Sequence, residues 1–135
     1  MDKKVEAEMN LEEVSYDISI IVNAHKEHVL LYPTLRSIAR AKKMALSKNL
    51  KIETLLIIDS PDSEMRHLVK VYTENPALLI DRSIEISVSS LGLARNFGVR
   101  SAKGNFIGFM DGDDLCSDNW IVSCYQTCKS NEKTI

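Results

Sequence analysis

Asn105-Phe106-Ile107-Gly108-Phe109-Met110-Asp111-Gly112-Asp113-Asp114 is the stretch on which the rest of the chain is organised. Phe106, Ile107, Phe109 and Met110 form an apolar run broken only by Gly108, which reads as a strand buried on both faces. The run ends in three carboxylates, Asp111, Asp113 and Asp114, at the point where a parallel strand leaves the carboxyl edge of its sheet. Open α/β sheets bind ligands at that edge. Crowded carboxylates repel one another unless a cation or hydrogen-bond donors compensate. A hard divalent cation, Mn²⁺ or Mg²⁺, is the natural compensation, since it shares its oxygen ligands between one or two carboxylates and a substrate's phosphates. Gly112 lets the backbone turn and come close to a ligand. In isolation Asp-Gly-Asp-Asp is also ordinary turn chemistry; the buried run before it and the remaining chain favour the functional reading.

Outward from that strand, Lys103-Gly104 turns the chain into it. Ser89 to Gly92 lead into a short helix carrying Ala94, Arg95, Asn96, Phe97, Gly98 and Ala102, whose small residues allow close packing on a sheet. On the far side, Asp118 or Asn119 caps a last helix with Trp120, Ile121, Cys124, Tyr125 and Cys128 at helical spacing; its aromatics read as core rather than as a sugar platform. Near the amino terminus, Asp17 to Asn23 is β-branched and nearly continuous, a central parallel strand, followed by the polar loop Ala24 to His28. Leu31, Leu35, Ile38, Ala39 and Leu46 then fall mostly on one helical face, with Arg36, Arg40 and Lys43 outside, Pro33 in the first turn and Asn49 at the stop.

Ile52 to Ile58 is a second buried strand closing on Asp59. Ser60 or Asp62 caps the next helix, which carries Met65, Leu68, Val69 and Tyr72 and ends at Asn75-Pro76. Ile84, Ile86 and Val88 alternate with Glu85 and Ser87, the pattern of an edge strand. The order β-α-β-α-β-α-β-α predicts a Rossmann-like α/β domain, a mostly parallel sheet with helices on both faces. Residues 17–130 form that domain, residues 1–16 a loose, helix-prone leader and residues 131–135 a tail.

Bulk properties narrow the function classes. The 135 residues, 44% hydrophobic and 27% charged, suit a single ordinary domain. A net charge of -2 gives no general attraction to nucleic acid, so phosphate recognition must be local. No apolar run approaches the roughly 20 residues of a membrane span, and no signal-peptide core precedes the domain. Cys116, Cys124 and Cys128, odd in number and clustered, make a poor disulfide framework and read as small buried hydrophobes. Together these predict a cytoplasmic chain without a transmembrane segment.

The sequence also resembles the amino-terminal half of a family 2 glycosyltransferase of the GT-A fold. Ile18-Ser19-Ile20-Ile21-Val22-Asn23-Ala24-His25-Lys26-Glu27 is similar to that family's first strand and nucleotide-side loop, and Leu56-Ile57-Ile58-Asp59 to its second strand ending in Asp. The most specific parts are Ala94-Arg95-Asn96-Phe97-Gly98, and then Gly104 to Asp114 with its Asp-x-Asp motif. Asn23 and His25 stand where the family more often has Pro and Tyr. Ser60 stands where a second Asp commonly holds the nucleotide base, with Asp62 as the alternative.

The resemblance implies Asp113 as metal ligand and Asp111 as a ribose or metal contact, with Asp114 bracing the turn. It implies a divalent cation, Mn²⁺ or Mg²⁺, as cofactor. Ala24, His25 and Glu27 border the donor nucleotide. Asp59 meets its base or ribose, or else caps a helix, and Arg95 braces the carboxylates, faces the diphosphate, or pairs on the surface. The implied activity is sugar transfer from a nucleoside-diphosphate sugar to an acceptor hydroxyl, this chain being the donor-binding half and the catalytic base lying in the family's acceptor half. The alternative is a non-catalytic nucleotide- and metal-binding module. A phosphotransferase is disfavoured, because such families place their nucleophilic Asp after the first strand, where Asn23 stands. With the first strand between the second and the acidic one, nucleotide would lie across the carboxyl ends of all three. A half-domain would also leave a sheet edge uncovered and open to association.

Overall fold

The computed structural model describes residues 15–131. The leader, up to residue 14, and the tail, from residue 132, lie outside the described residues. Strands β1 (Tyr16–Ala24), β2 (Ile52–Asp59), β3 (Arg82–Ile86) and β4 (Gly104–Asp111) alternate with helices α1 (Leu31–Ser47), α2 (Ser63–Glu74), α3 (Leu91–Ser101) and α4 (Trp120–Ser130). All strand pairs are parallel, in the order β3-β2-β1-β4. β1 therefore lies between β2 and the acidic strand. It begins at Tyr16, one residue before the expected domain boundary.

The order of the strands distributes the helices. β1 to β3 advance in one direction across the sheet, and their crossovers α1 and α2 share a face, where α4 joins them. Leu31, Leu35 and Ile38 of α1, Met65 and Val69 of α2 and Ile121 of α4 pack there on Ile20, Val22 and Leu56. Between β3 and β4 the chain reverses direction, so α3 lies on the opposite face, where Ala94 and Phe97 meet Ile21, Leu55 and Ile57. Gly98 allows that contact, since a Cβ there would sit 2.7 Å from Ile21 Cγ2. Trp120 and Tyr125 belong to the larger core: Trp120 lies over Gly108 and Tyr125 meets the Phe106 ring edge-on at 5.9 Å.

Local chemistry fixes the helix ends. Asp62, not Ser60, caps α2 by accepting the Met65 N–H at 2.8 Å. α1 closes in a Schellman motif, with Asn49 in the left-handed region and the Asn49 and Leu50 amides bonded to Leu46 and Ala45 carbonyls. Leu46 faces solvent at 45% exposure, because in the last turn the buried stripe passes through Lys42 and Ala45 instead. Neither Asp118 nor Asn119 caps α4 with its side chain; Asp118 pairs with Arg40 instead.

Two strands differ from expectation. β3 spans Arg82–Ile86, ending before Val88, whose amide donates to Asp59 rather than to the sheet. β4 is an edge strand, not one buried on both faces: it pairs only with β1 among the described residues, and Phe109 is 41% exposed. Its apolar run is accounted for by Phe106 and Met110 on the α4 face and by Ile107 and Phe109 on the thinly covered α3 face, where Arg95 lies 5.9 Å from the Phe109 ring centroid.

A buried carboxylate ties the strands together at their amino ends. Glu53 on β2, 1% exposed, accepts from Ser19 Oγ of β1 at 2.6 Å, from the Lys103 amide at 2.9 Å and from Arg82 Nε of β3 at 2.9 Å. Ser19 Oγ in turn accepts the Gly104 amide at 2.8 Å, and Arg82 also donates to the Ser101 carbonyl. A Cβ at Gly104 would stand 2.4 Å from the Ser19 nitrogen, so β4 can start there only as glycine. Burial alone would raise the Glu53 pKa, but the Ser19, Lys103 and Arg82 donors outweigh it and hold the carboxyl below its ordinary 4.5.

Three free cysteines, each half-buried, lie at Cys116, Cys124 and Cys128. No helix among the described residues is long and apolar enough to cross a membrane.

Because its folded pKa is depressed, Glu53 stabilises the fold above the unfolded value, and that contribution is lost as pH falls from about 4.5 through the lower folded value. Glu53→Ala, which strands Arg82, is expected to cost on the order of 3–5 kcal/mol in urea unfolding at pH 7. Glu53→Gln should flatten the acid limb of the stability profile; an unchanged limb would exclude Glu53 as its source. The open β4 edge should in turn make the 135-residue chain associate at micromolar concentration, and Phe109→Lys should return it to a monomer by light scattering. A wild type that stays monodisperse would show that the edge is protected.

Candidate nucleotide and metal site

A cleft of about 420 Å³ opens at the carboxyl ends of β1, β2 and β4. Ala24, His25, Glu27, Asp59, Asp111 and Asp113 all line it, so one site gathers residues from three loops that are far apart in sequence. Asn23, Ser89, Ser90, Leu91 and Ala94 complete the lining. Arg95 stands behind it, its Nη2 donating to Asp111 Oδ1 at 3.1 Å.

The β1 loop is held by its own carboxylate and by α2. The His25 amide donates to Glu27 Oε2 at 2.6 Å, and the His25 ring bonds the Asp59 carbonyl through Nδ1. His28, in the left-handed region, places Nε2 at 2.8 Å from Asp62 Oδ2. Asp62 thus caps α2 and anchors this loop, and it does not line the cleft. The Met65 amide and His28 lower its pKa.

Asp59 is engaged by the loop between β3 and α3. Its Oδ1 accepts from the Val88 amide at 2.9 Å, the Ser89 amide at 3.1 Å and Ser60 Oγ at 2.9 Å, and its Oδ2 from the Ser90 amide at 3.2 Å. Burial pushes its pKa up, and these four donors more than reverse the effect, holding it below 3.8. Ser60 and Ser89 both adopt positive φ, 50° and 51°, and their hydroxyls meet at 3.2 Å. Ser89 lines the cleft and Ser60 backs it, so two non-glycine residues in that region store backbone strain beside the site. Ser90 passes the restraint on by capping α3 through the Leu93 amide. Asp59 therefore caps no helix of its own; it orders the loop that starts α3.

The acidic loop is fixed differently. The Gly112 amide donates to the Asn23 carbonyl at 2.9 Å and the Gly112 carbonyl accepts from Thr34 Oγ1 at 3.1 Å, with Glu27 packed where a Cβ would point. The Asp114 amide closes the turn on the Asp111 carbonyl. Asp111 is braced by Arg95, while Asp113 is exposed and faces the cleft. No three His, Cys, Asp or Glu side chains among the described residues converge as a ready-made metal cage. Two carboxylates around a glycine, with a cleft in front, suit a hard cation that takes its remaining ligands from water and a diphosphate.

Sequence reasoning missed the Ser89–Ser90 wall and Asn23. The wall carried a signal, a Ser-Ser-Leu-Gly turn after an apolar strand, which reads as a connection until Asp59 is seen to bind it. Removing the Asp59 carboxylate should release this wall. Asp59→Ala is expected to lose about 1–3 kcal/mol of stability, with faster hydrogen exchange at the Val88, Ser89 and Ser90 amides; exchange unchanged at all three would show that the wall does not depend on Asp59.

Known proteins share the sequence pattern and the fold of this chain. The glycosyltransferase EpsJ of Bacillus subtilis (strain 168) is 30% identical over 84 residues, 62% of this chain and 24% of its own length. The minor teichoic acid biosynthesis protein GgaB of the same organism is 30% identical over 117 residues, 82% of this chain and 12% of its own length. The chain thus spans a quarter or less of these relatives. Among solved structures, S. aureus TarS 1-349 in complex with UDP-GlcNAc superposes with a TM-score of 0.66 at 18% identity, covering 86% of this chain and 32% of that one. The mannosyltransferase PcManGT from Pyrobaculum calidifontis in complex with GDP-Man and Mn²⁺ gives 0.62 at 19% identity, covering 88% and 36%. These likenesses show the fold. The model of Glycosyl transferase family 2 matches residues 19–135, and with that match the chain belongs to this family of glycosyltransferases.

Proposed function

We propose that this chain binds the donor of a sugar transfer, a nucleoside-diphosphate sugar, as part of an enzyme that passes the sugar to an acceptor hydroxyl. The observation that carries the reading is the convergence of Glu27, Asp59, Asp111 and Asp113 on one cleft at the carboxyl edge of a parallel sheet. Neighbours of the same fold bind UDP-GlcNAc or GDP-Man with Mn²⁺, which supports a nucleotide donor here.

In the transfer, the bond from the anomeric carbon to the diphosphate oxygen breaks and the acceptor oxygen bonds to that carbon. The acceptor's proton passes to a base. A divalent cation held by Asp113 and Asp111 would offset the charge growing on the leaving diphosphate. This chain's own residues bind and orient. Arg95 keeps the Asp111 carboxylate in place, the Asn23–Gly112 bond sets the turn that presents Asp113, and the Ser89–Ser90 wall bounds the nucleoside side. Asp111 is paired with Arg95 and Asp59 is saturated by donors, so neither is poised to accept a proton. That favours a base from outside these residues, and inversion at the anomeric carbon by resemblance. The second reading, nucleotide binding without turnover, is favoured for the isolated chain because it spans about a third of the comparable structures.

Asp113→Ala tests the assignment. Asp113 is exposed, so its removal should leave the unfolding free energy within about 0.5 kcal/mol of wild type. It should lower Mn²⁺-dependent affinity for UDP or GDP by calorimetry at least about tenfold, as expected for a lost charged ligand. Unchanged Mn²⁺-dependent affinity in the variant would remove Asp113 from the metal site.

A further inference from the structure

Asn23, the last but one residue of β1, lines the cleft, register partner of Asp111 on one side and of Ile57 on the other. It is 6% exposed, yet neither its Nδ2 nor its Oδ1 finds a partner in the protein. Its backbone carbonyl is already engaged by the Gly112 amide, whereas both polar atoms of the side chain are buried without a partner beneath the cleft surface. The residues just before it, Ile20, Ile21 and Val22, are fully buried hydrophobes, and the polar side chain breaks that run at the cleft. A buried carboxamide with both functions unpaired is unfavourable in the free protein and is relieved only by a ligand or solvent that reaches it.

The two buried or braced carboxylates of the cleft are more constrained, and Asp113 is exposed. Asp59 accepts from four protein donors, and Asp111 is braced by Arg95. The remaining unpaired buried side-chain atoms among the described residues belong to Thr54 and Arg95, neither of which lines the cleft.

We propose that Asn23 is the specificity-determining residue for the nucleoside: its carboxamide pairs with an adjacent donor and acceptor on the bound nucleotide. A planar amide presents one donor and one acceptor side by side. The imide edge of uracil, the N1–O6 edge of guanine and the vicinal ribose hydroxyls each match that pair. A site that buries such a group rejects a ligand lacking its complement, because the amide is then left unpaired. This assignment rests on the nucleoside-diphosphate reading above.

The test is calorimetry on the 135-residue chain with Mn²⁺. UDP and GDP are compared with their 2′-deoxy and base-methylated analogues, at N3 for uracil and N1 for guanine. Asn23→Ala, too small to block the cleft, is expected to weaken the nucleotide that binds by about tenfold, the loss of one paired amide. Asn23→Leu, of the same branched shape without the polar atoms, serves if alanine weakens the fold. In the wild type, one analogue should lose comparable affinity, and in the variant that analogue should cost nothing further. Loss on methylation assigns the partner to the base, and loss on deoxygenation assigns it to the ribose. Wild-type affinity in the variant, or losses that add fully for both analogues, overturns the role of Asn23 while leaving the nucleotide reading intact. A wild type that binds neither UDP nor GDP overturns that reading, and this one with it.

Discussion

The carboxylate of Glu53, buried within the sheet near its amino edge, is the interaction on which the rest of the domain depends. Directly or through one hydrogen bond it reaches all four strands: Ser19 of β1, its own β2, Arg82 of β3 and, through Ser19, Gly104 of β4. Parallel strands are joined by long crossovers, and no tight turn sets their register. Here a polar cluster of strict geometry sets it. Once Gly104 is fixed against Ser19, the ladder runs through Ile18↔Phe106 and Val22↔Met110 to Asn23↔Asp111. A slip of one residue would carry Asp111 to the other face of the sheet. The placement of the acidic motif beside the β1 loop therefore depends on a carboxylate at the far end of the strands.

That arrangement separates two demands. The amino edge is tightly bonded and contains the shielded ion pair of Glu53 and Arg82. The carboxyl edge holds the positive-φ serines, the unpaired Asn23 amide and exposed Asp113. Strain and unsatisfied polarity at a binding edge are tolerable only on a scaffold whose register is secured elsewhere. His28 and Lys42 extend the same logic to the helices: His28 bonds the cap of α2, and buried Lys42 of α1 reaches Asp81, which also accepts the Thr54 amide of β2.

Much of the fold was legible because it is encoded locally. Continuous apolar runs marked β1 and β2, alternation marked β3 as an edge, and Ser60 or Asp62 marked the start of α2. What escaped is set by partners far along the chain. The run from Phe106 to Met110 reads as fully buried because apolar continuity cannot tell a central strand from an edge strand whose outer side chains lie under a ring of α4 or beside Arg95. β3 starts earlier than its pattern because Arg82, an unpromising strand residue by itself, is fixed by Glu53, 29 residues away. The site divides in the same way. Asp111 and Asp113 announce themselves by spacing, whereas the work of Asp59 depends on amides 29 to 31 residues downstream. Asn23 read only as the end of the first strand and a departure from the family's usual Pro, and burial without a partner gives it meaning.

The cleft's charge is the remaining constraint. Glu27, Asp59, Asp111 and Asp113 line it, and the nearest cation that bonds any of their side chains among the described residues is Arg95, already on Asp111. A diphosphate entering alone would meet like charge on every side, and low-dielectric walls would sharpen the repulsion. Donors hold Asp59 ionised well below neutral pH, so protonation does not relieve it. The site is therefore better suited to a cation and diphosphate together than to either partner separately: the cation lowers the repulsion between the acids and the phosphates, and the phosphates supply ligands that two carboxylates cannot. Under the proposed function, selectivity for the nucleoside would come from neutral hydrogen-bonding groups, because the charged ones would be committed to the cation and to the fold. Of the neutral side chains in the cleft, Asn23 combines deep burial with an unused donor and acceptor.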